Sequence, residues 1–188
     1  MSVLAFRHAP VALAGVCYGQ LDVDPTLSAA DAAAIVEPQL AGIAVARIWS
    51  SPLRRCSAPA RVLAERLGVA HTIDARLSEI AQGAWEGRAW DELERDEGAA
   101  YAAWMSAWKT SGPPGGESAV EVERRVRAWH DELPDQGATE VLIAHAGVIR
   151  ALGVITRGQT WEEAMSAAVP HLVAKGFEKA SGASRRGE

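Results

Sequence analysis

Predominantly apolar runs alternate with segments of helical periodicity, and this alternation restricts the chain more than any other feature. The runs are Val3–Phe6, Ala46–Trp49, Ala70–Ile73 and Val141–Ala144. Short runs of this kind are typical of buried strands, whereas the segments between them repeat apolar residues every three or four positions, as helices do. We therefore predict an α/β fold, a three-layer α/β/α sandwich around a mostly parallel central sheet.

Serines mark the predicted helix starts. They are Ser28 with Asp31 three residues later, Ser51 before Pro52, and Ser118 with Glu121 in a full capping box. Gly68 ends the second of these helices. Pro59 lies inside it, where a proline removes one backbone hydrogen bond, so we expect a bend.

Composition is that of an ordinary globular protein. The chain has 188 residues, 48% hydrophobic and 23% charged, and we predict a single domain over residues 1–180 and a flexible tail over 181–188. A net charge of −5 provides no overall positive field for nucleic acid or an anionic membrane, so we predict neither as a partner. Two cysteines, and no run long enough for a signal peptide or a membrane span, predict a cytoplasmic protein.

Two of the five histidines occupy matching positions. His8 follows the run Val3–Phe6 after Arg7, and His145 follows Val141–Ala144 directly. Ligands of open α/β sheets bind beyond the carboxyl ends of the strands, so parallel strands would present both imidazoles on one side. A single histidine at a strand end is more often a structural residue. The matching pair leaves two readings open, two structural residues or one shared site.

An arginine pair follows the second predicted strand at the start of a helix. The segment is Ser50-Ser51-Pro52-Leu53-Arg54-Arg55. Helix N-termini attract anions, and a guanidinium group adds a bidentate donor that suits phosphate. We interpret Arg54 as a surface charge, and Arg55 as a phosphate ligand that acts together with the histidines.

Five motifs occur in one order along the chain. They are Arg7-His8-Ala9-Pro10, the segment from Ser50 to Arg55, Leu77-Ser78-Glu79 followed by Gly83-Ala84-Trp85-Glu86-Gly87, Pro114-Gly115-Gly116-Glu117-Ser118, and His145-Ala146-Gly147. Over about residues 3–155 the chain thus resembles the histidine phosphatase superfamily, also called the phosphoglycerate mutase-like family. Each motif alone is weakly specific, but the ordered series is strongly specific. Within the family, the loop Cys17–Val23 and two of the glycine-containing motifs look most like alpha-ribazole phosphatases of cobalamin biosynthesis.

The resemblance implies hydrolysis of a small-molecule phosphate monoester, such as alpha-ribazole 5'-phosphate, through a phosphohistidine and without a metal or other cofactor. It implies that His8 is the nucleophile and that Glu79 donates a proton to the leaving group. The other catalytic residues, which also bind the phosphoryl oxygens, are Arg7, Arg55 and His145.

Further residues near these motifs complete the predicted site. Gly19, Gln20 and Ala146 are expected to contribute to binding the phosphate. Glu86 is expected to hold a backbone turn. The resemblance also implies a helical cap over about residues 80–117.

The chain departs from the family pattern at several positions. Ala9 follows His8 where the family has glycine, and Pro10-Val11 replace its usual polar pair. Ala146 replaces a common glycine, and Pro59 stands where threonine is frequent. Alanine suits the position after His8 if φ is negative there. These changes bear on substrate preference more than on phosphoryl chemistry.

Aromatic residues of the predicted cap share one helical face, namely Tyr101, Trp104 and Trp108. They either pack the cap onto the domain or form an aromatic wall for the leaving group. The remaining histidines, His71, His130 and His171, are interpreted as surface or packing residues.

Two alternatives to a phosphatase stay open. One is phosphoryl transfer of the phosphoglycerate mutase type, for which the chain looks short. The other is a non-catalytic domain that binds a phosphorylated ligand. The sequence also leaves open whether the chain forms a homodimer.

Overall fold

A five-stranded sheet forms the centre of the computed structural model, which describes residues 2–134 and 137–178. The strands are β1 (Ser2–Arg7), β2 (Val45–Ser50), β3 (Ala70–Ile73), β4 (Thr139–Ala144) and β5 (Lys175–Glu178). They lie in the order β3-β2-β4-β1-β5, and only β5 runs antiparallel to its neighbour among these strands. The predicted tail over 181–188 lies outside the described residues.

Helices cover both faces of the sheet. They are α1 (Ala29–Val36), α2 (Arg54–Leu67), α3 (Trp90–Asp96), α4 (Gly98–Ala107), α5 (Ala119–Asp131), α6 (Ala146–Arg157) and α7 (Trp161–Ser166). Alternate residues of a strand point to opposite faces. Accordingly Phe6 packs with α1 and α2, whereas the adjacent Ala5 packs with α5 and α6. The predicted three-layer α/β/α sandwich with a mostly parallel sheet is therefore confirmed.

A third, smaller cluster joins the helices α3 and α4 to the loop after β1. Cys17, Trp85 and Leu93 are its buried residues, and Tyr101 and Trp104 pack against them. The backbone N–H of Cys17 donates to the carbonyl of Arg88 over 2.9 Å. This cluster therefore holds the region predicted as the cap against the Cys17–Val23 loop.

The start of α2 differs from the prediction. Ser51 and Pro52 precede the helix, which begins at Arg54 with Leu53 in the cap position. The reason is that the backbone N–H of Ser51 still bonds to the carbonyl of Ile143 in β4, one residue past the end of β2, so the chain cannot turn into the helix there. The helix continues through Pro59 to its predicted end at Gly68. The predicted caps at Ser28 and Ser118 are both present.

Two C-terminal elements were not predicted. The strand β5 is short and lies at the edge of the sheet, with Phe177 as its one buried residue. The helix α7 begins with a capping box of Thr160 and Glu163. In the described part of the chain, no helix is both long enough and apolar enough to span a membrane.

Candidate active site

His8 and His145 lie side by side because β1 and β4 are neighbours in the sheet. Arg7 pairs with Ala144 in the parallel register, and the N–H of His8 donates to the carbonyl of Ala144 over 2.9 Å. The two imidazole rings meet edge to face with their centroids 5.1 Å apart. Both side chains are buried. The two strand-end histidines thus belong to one site.

The ring of His8 has a defined tautomer. Its Nδ1 lies 2.6 Å from the carbonyl oxygen of Ala9, and a carbonyl oxygen only accepts, so Nδ1 carries the hydrogen. Burial lowers the pKa of His8 to about 3, and the positive charges of Arg55 and Arg7 also lower it. At neutral pH the ring is therefore uncharged, with its lone pair on Nε2.

His145 is fully buried beside the ring of His8 and the thiol of Cys56. Burial lowers its pKa well below the ordinary value, and the adjacent His8 and Arg55 act in the same direction. The Sγ of Cys56 lies 3.4 Å from Nε2 of His145 and donates to the carbonyl of Ala144 over 3.5 Å. Burial also raises the pKa of this thiol, which is therefore uncharged. A neutral imidazole still has one N–H with which to bind an oxygen.

Two guanidinium groups, those of Arg7 and Arg55, contribute positive charge to the site without a carboxylate partner among the described residues. Arg7 donates from Nη1 to the carbonyl of Val169 over 3.1 Å. Arg55 is fully buried and donates to the carbonyls of Leu21 and Gly19 over 2.6 and 2.8 Å.

The Nε atoms of Arg7 and Arg55 are both buried, and neither has an acceptor in the part of the chain that the structure describes. A buried cation without a counter-charge is unfavourable, and an unpaired buried N–H adds to the penalty. An anion relieves both, so the geometry suits a bound phosphate group.

Glu79 contacts the N-terminus of α6. Its Oε1 accepts from the backbone N–H of Gly147 over 3.1 Å and from that of Ile80 over 3.0 Å. A Cβ atom at position 147 would lie 2.4 Å from this oxygen, so any residue other than glycine would displace the carboxylate from this position. With Oε1 held by two donors, Oε2 is the oxygen available for a proton.

Gly19 and Gln20 form hydrogen bonds with Arg55 and Glu79, two residues predicted to act on the substrate. Gly19 accepts from Arg55, and the side-chain amide of Gln20 donates to the carbonyl of Glu79 over 2.8 Å. Glu86 accepts from the backbone N–H groups of Gln20 and Gln82 over 2.9 and 3.0 Å, so it holds a backbone turn, as expected. Direct contacts of Gly19 and Gln20 with phosphate stay a prediction.

The departures from the family pattern fit the backbone. Among the described residues other than glycine, only Leu172 has a positive φ, so the alanines at Ala9 and Ala146 are unstrained. The carbonyl of Pro10 accepts from the backbone and the hydroxyl of Thr26 over 2.7 and 3.1 Å. Pro10 is therefore tied to a neighbouring loop.

His171, interpreted as a surface or packing residue, contacts the predicted nucleophile directly. Its Nδ1 donates to the carbonyl of His8 over 2.5 Å, and the two rings lie 5.4 Å apart. The next residue, Leu172, donates its N–H to the carbonyl of Arg7 over 2.9 Å with a strained φ of 57°. Strain of this kind is often found at functional sites. The other two histidines agree with a packing role, since His71 bonds to Ser50 and His130 is buried.

Arg125 supports the segment of Glu79 and was not predicted. It donates to the carbonyls of Arg76 and Glu79 over 2.6 and 3.1 Å, and to the carboxylate of Glu117. Glu117 in turn accepts from the backbone N–H of Ala81 over 2.9 Å. The fourth motif thus acts on the site through Arg125.

A cavity of about 310 Å³ opens beside Glu79. It is lined mainly by apolar side chains, namely Ile80, Trp90, Trp104, Met105, Trp108, Val122, Trp161 and Met165, together with Gln82 and Arg150. Of the three aromatic residues predicted to share a face, Trp104 and Trp108 line this cavity, whereas Tyr101 packs against Trp85. Within residues 2–134 and 137–178, no three His, Cys, Asp or Glu side chains are grouped to hold a metal ion.

Comparison with known proteins identifies the family. The sequence profile of the Histidine phosphatase superfamily (branch 1) matches residues 3–173. The chain belongs to the histidine phosphatase superfamily. This confirms the resemblance drawn from the five motifs and assigns the chain to the histidine phosphatases.

Curated relatives of this histidine phosphatase include glucosyl-3-phosphoglycerate phosphatases. The protein of Mycobacterium tuberculosis is 38% identical over 115 residues, which is 56% of this chain and 51% of the relative. That of Mycolicibacterium vanbaalenii is 36% identical over 143 residues, 71% of this chain and 63% of the relative. The chain thus spans about half to two thirds of the length of these relatives.

Solved structures agree on the fold. The alpha-ribazole phosphatase from Shigella flexneri superposes with a TM-score of 0.83 at 21% identity, covering 95% of this chain and 90% of that one. A mycobacterial glucosyl-3-phosphoglycerate phosphatase gives a TM-score of 0.73 at 27% identity, covering 93% and 88%. The first likeness is one of fold alone, so the alpha-ribazole branch is supported only at that level.

Proposed function

We propose that this histidine phosphatase hydrolyses phosphate monoesters of small molecules, with His8 as the nucleophile that is transiently phosphorylated. The observation that carries the proposal is the ring of His8, uncharged and with Nε2 unprotonated, beside His145 and two arginines. Arg55 is fully buried, the Nε of Arg7 is buried, and neither guanidinium group has a counter-anion among the described residues. Family membership over residues 3–173 supports the same chemistry.

The first step transfers the phosphoryl group to the enzyme. The lone pair of His8 Nε2 forms the new bond to phosphorus, and the electron pair of the breaking P–O bond goes to the ester oxygen. Glu79 in its protonated form gives its proton to that oxygen, so the alcohol leaves neutral. Arg7, Arg55 and His145 bind the non-bridging oxygens, whose charge is spread over the transition state.

The second step returns the enzyme to its starting state. The carboxylate of Glu79 takes a proton from a water molecule as that water attacks phosphorus. The P–N bond breaks, and its electron pair returns to Nε2 of His8 as inorganic phosphate leaves. Glu79 is then protonated again, and the sum of both steps is ester plus water giving alcohol plus phosphate.

Two named esters are candidate substrates. The loop Cys17–Val23 favours alpha-ribazole 5'-phosphate, because it looks like the corresponding loop of alpha-ribazole phosphatases. The relatives named glucosyl-3-phosphoglycerate phosphatase make that ester the second candidate. We propose that the reaction takes place in the cytoplasm, and that the substrate is a free small molecule, without nucleic acid or a membrane as a partner.

The test is a screen of phosphorylated metabolites that includes both esters, with the His8→Ala variant as the blank. We expect release of inorganic phosphate by the wild-type protein and none above background by the variant. Equal turnover by the two proteins would exclude His8 as the nucleophile. An assay with 3-phosphoglycerate and added 2,3-bisphosphoglycerate distinguishes a mutase from a phosphatase. A mutase would form the isomer 2-phosphoglycerate, whereas a phosphatase would release free phosphate.

A further inference from the structure

We propose that the cavity beside Glu79 binds the alcohol part of the substrate, and that it selects phosphate esters whose alcohol carries a flat, mainly apolar ring. We further propose that Arg150 binds a hydrogen-bond acceptor on that ring system. This inference rests on the proposed function, because it assigns the leaving-group side of the same site.

Two helices contribute most of the aromatic and methionine lining of the cavity. Trp104, Met105 and Trp108 lie on or directly after α4, and Trp161 and Met165 lie on α7. An ion pair joins Lys109 to Glu162 beside the cavity. This ion pair links the segment that follows α4 to α7 outside the cavity itself.

The tryptophan rings are fixed by contacts with their neighbours. Trp108 and Trp161 meet edge to face at 6.2 Å, and Trp90 stacks on Trp104 at 6.0 Å. The indole N–H of Trp161 donates to Glu123 over 3.1 Å. Rings that are held in this way form a rigid surface, and a flat ring gains most from stacking against such a surface.

The mouth of the cavity is apolar and exposed. Met105 is 53% exposed and Met165 is 47% exposed, although both side chains are large and hydrophobic. Methionine adapts to the shape of an apolar ligand and forms favourable contacts between sulfur and aromatic rings. A ring that enters between these two side chains would cover them.

Arg150 is the one guanidinium group lining this cavity among the described residues. Its Nε donates to the carbonyl of Ala164 over 3.2 Å, and no carboxylate of the described chain forms an ion pair with it. The remaining N–H groups of the fork can therefore bind an acceptor on the ligand.

Continuity with the reacting centre identifies the occupant. Glu79 and Gly147 both line the cavity, and Gly147 follows His145 by two residues at the start of α6. Glu79 is also the proposed proton donor to the ester oxygen, so the alcohol must lie on its side of the phosphate. A volume of about 310 Å³ lies in the range of small-molecule sites.

The test compares 2-naphthylmethyl phosphate with ethyl phosphate, because both release a primary alcohol and only one carries a ring. We expect the wild-type kcat/KM to be at least about tenfold higher for the naphthylmethyl ester. The Trp108→Leu variant should lower this ratio about tenfold, because it removes one wall of the cavity. A Tyr101→Leu variant, which removes an aromatic ring of α4 that does not line the cavity, should change the ratio by less than about twofold.

Arg150 is tested with a second pair of esters. A carboxyl group on the far ring of the naphthylmethyl ester should raise kcat/KM in the wild-type protein. In the Arg150→Met variant, kcat/KM for the carboxylated ester should fall about tenfold more than kcat/KM for the ester without the carboxyl group. The reason is that a hydrogen bond to a charged group is removed. An equal loss on both esters would contradict the assigned role of Arg150.

Binding measurements keep the inference separate from the proposed function. Titration calorimetry with 2-naphthylmethylphosphonate and ethylphosphonate needs no turnover. If the protein prefers the naphthyl compound and Trp108→Leu abolishes that preference, the cavity is supported as the binding site for the ring. This holds even if no ester is hydrolysed, and in that case only the proposed function fails. Equal affinity for the two phosphonates, or the same loss in Tyr101→Leu, overturns the inference even if His8-dependent hydrolysis is found.

Discussion

The imidazole of His171 donates a hydrogen bond from Nδ1 to the carbonyl oxygen of His8 over 2.5 Å, and the two rings meet edge to face at 5.4 Å. Two residues of the same segment contact Arg7, since Val169 accepts from its guanidinium group and Leu172 donates to its carbonyl. The segment from Val169 to Leu172 therefore positions Arg7 and His8 of the first motif.

Removing this hydrogen bond should slow turnover more than it weakens binding. We expect His171→Ala to lower kcat about tenfold, because a small displacement of the nucleophile has a large effect on rate. KM should change by less than about threefold, because the phosphate ligands Arg7 and Arg55 remain in place. The His171→Asn variant retains a donor and should recover most of the activity.

Steady-state kinetics of the two variants, with thermal unfolding of each, check this role. A loss of kcat that follows loss of stability in both variants alike would indicate a purely structural residue. A loss in His171→Ala that asparagine restores indicates a positioning residue.

Acid should destabilise the protein through His8. The pKa of His8 is lowered from 6.5 to about 3, mainly by burial, so below pH 6.5 the unfolded chain binds a proton that the folded protein does not. The free energy of unfolding is therefore unaffected by His8 above pH 6.5, and it decreases as the pH falls from 6.5 toward 3. At about pH 5 the loss is on the order of 2 kcal/mol.

Urea unfolding at about pH 7.5 and pH 5 measures this effect, with His8→Gln as the control that cannot take up the proton. We expect the wild-type protein to lose about 2 kcal/mol more than the variant between these two conditions. An identical pH dependence in both proteins would show that His8 is not held uncharged by the fold.

Glu79 should matter most for poor leaving groups. In Glu79→Gln we expect the phosphorylation step to slow by about a hundredfold or more for an alkyl ester, because the alcohol then leaves without a proton. For 4-nitrophenyl phosphate the loss should be less than about tenfold, since nitrophenolate is a good leaving group. Single-turnover kinetics isolate this step from hydrolysis of the phosphoenzyme. Equal losses on the two esters would argue against Glu79 as the acid.

The sheet and the main residue pair could be predicted from local sequence. The apolar runs that contain Phe6 and Ile143 identify β1 and β4, and His8 and His145 are the first residues after these two strands. Once the two strands are parallel neighbours, the register alone brings the rings together. The capping box at Ser118 likewise acts within four residues and is readable without tertiary structure.

The features that sequence reasoning missed depend on contacts between distant segments. His171 lies 163 positions after His8 in a segment with no motif, and it meets His8 only because β5 returns to pair with β1. Arg125 is one of several arginines on α5 and reaches Glu79 through tertiary packing. Arg150 likewise carries no motif, and its place in the cavity depends on where α7 packs.

Trapping the phosphoenzyme tests the central claim most directly. The protein is mixed with a ³²P-labelled substrate from the screen, quenched in alkali to preserve phosphohistidine, and digested for mass spectrometry. We expect one phosphorylated peptide that contains His8, chemically labile in acid, and none in the His8→Ala variant. Turnover of the same substrate with no label on His8, or with label on another residue, would contradict it.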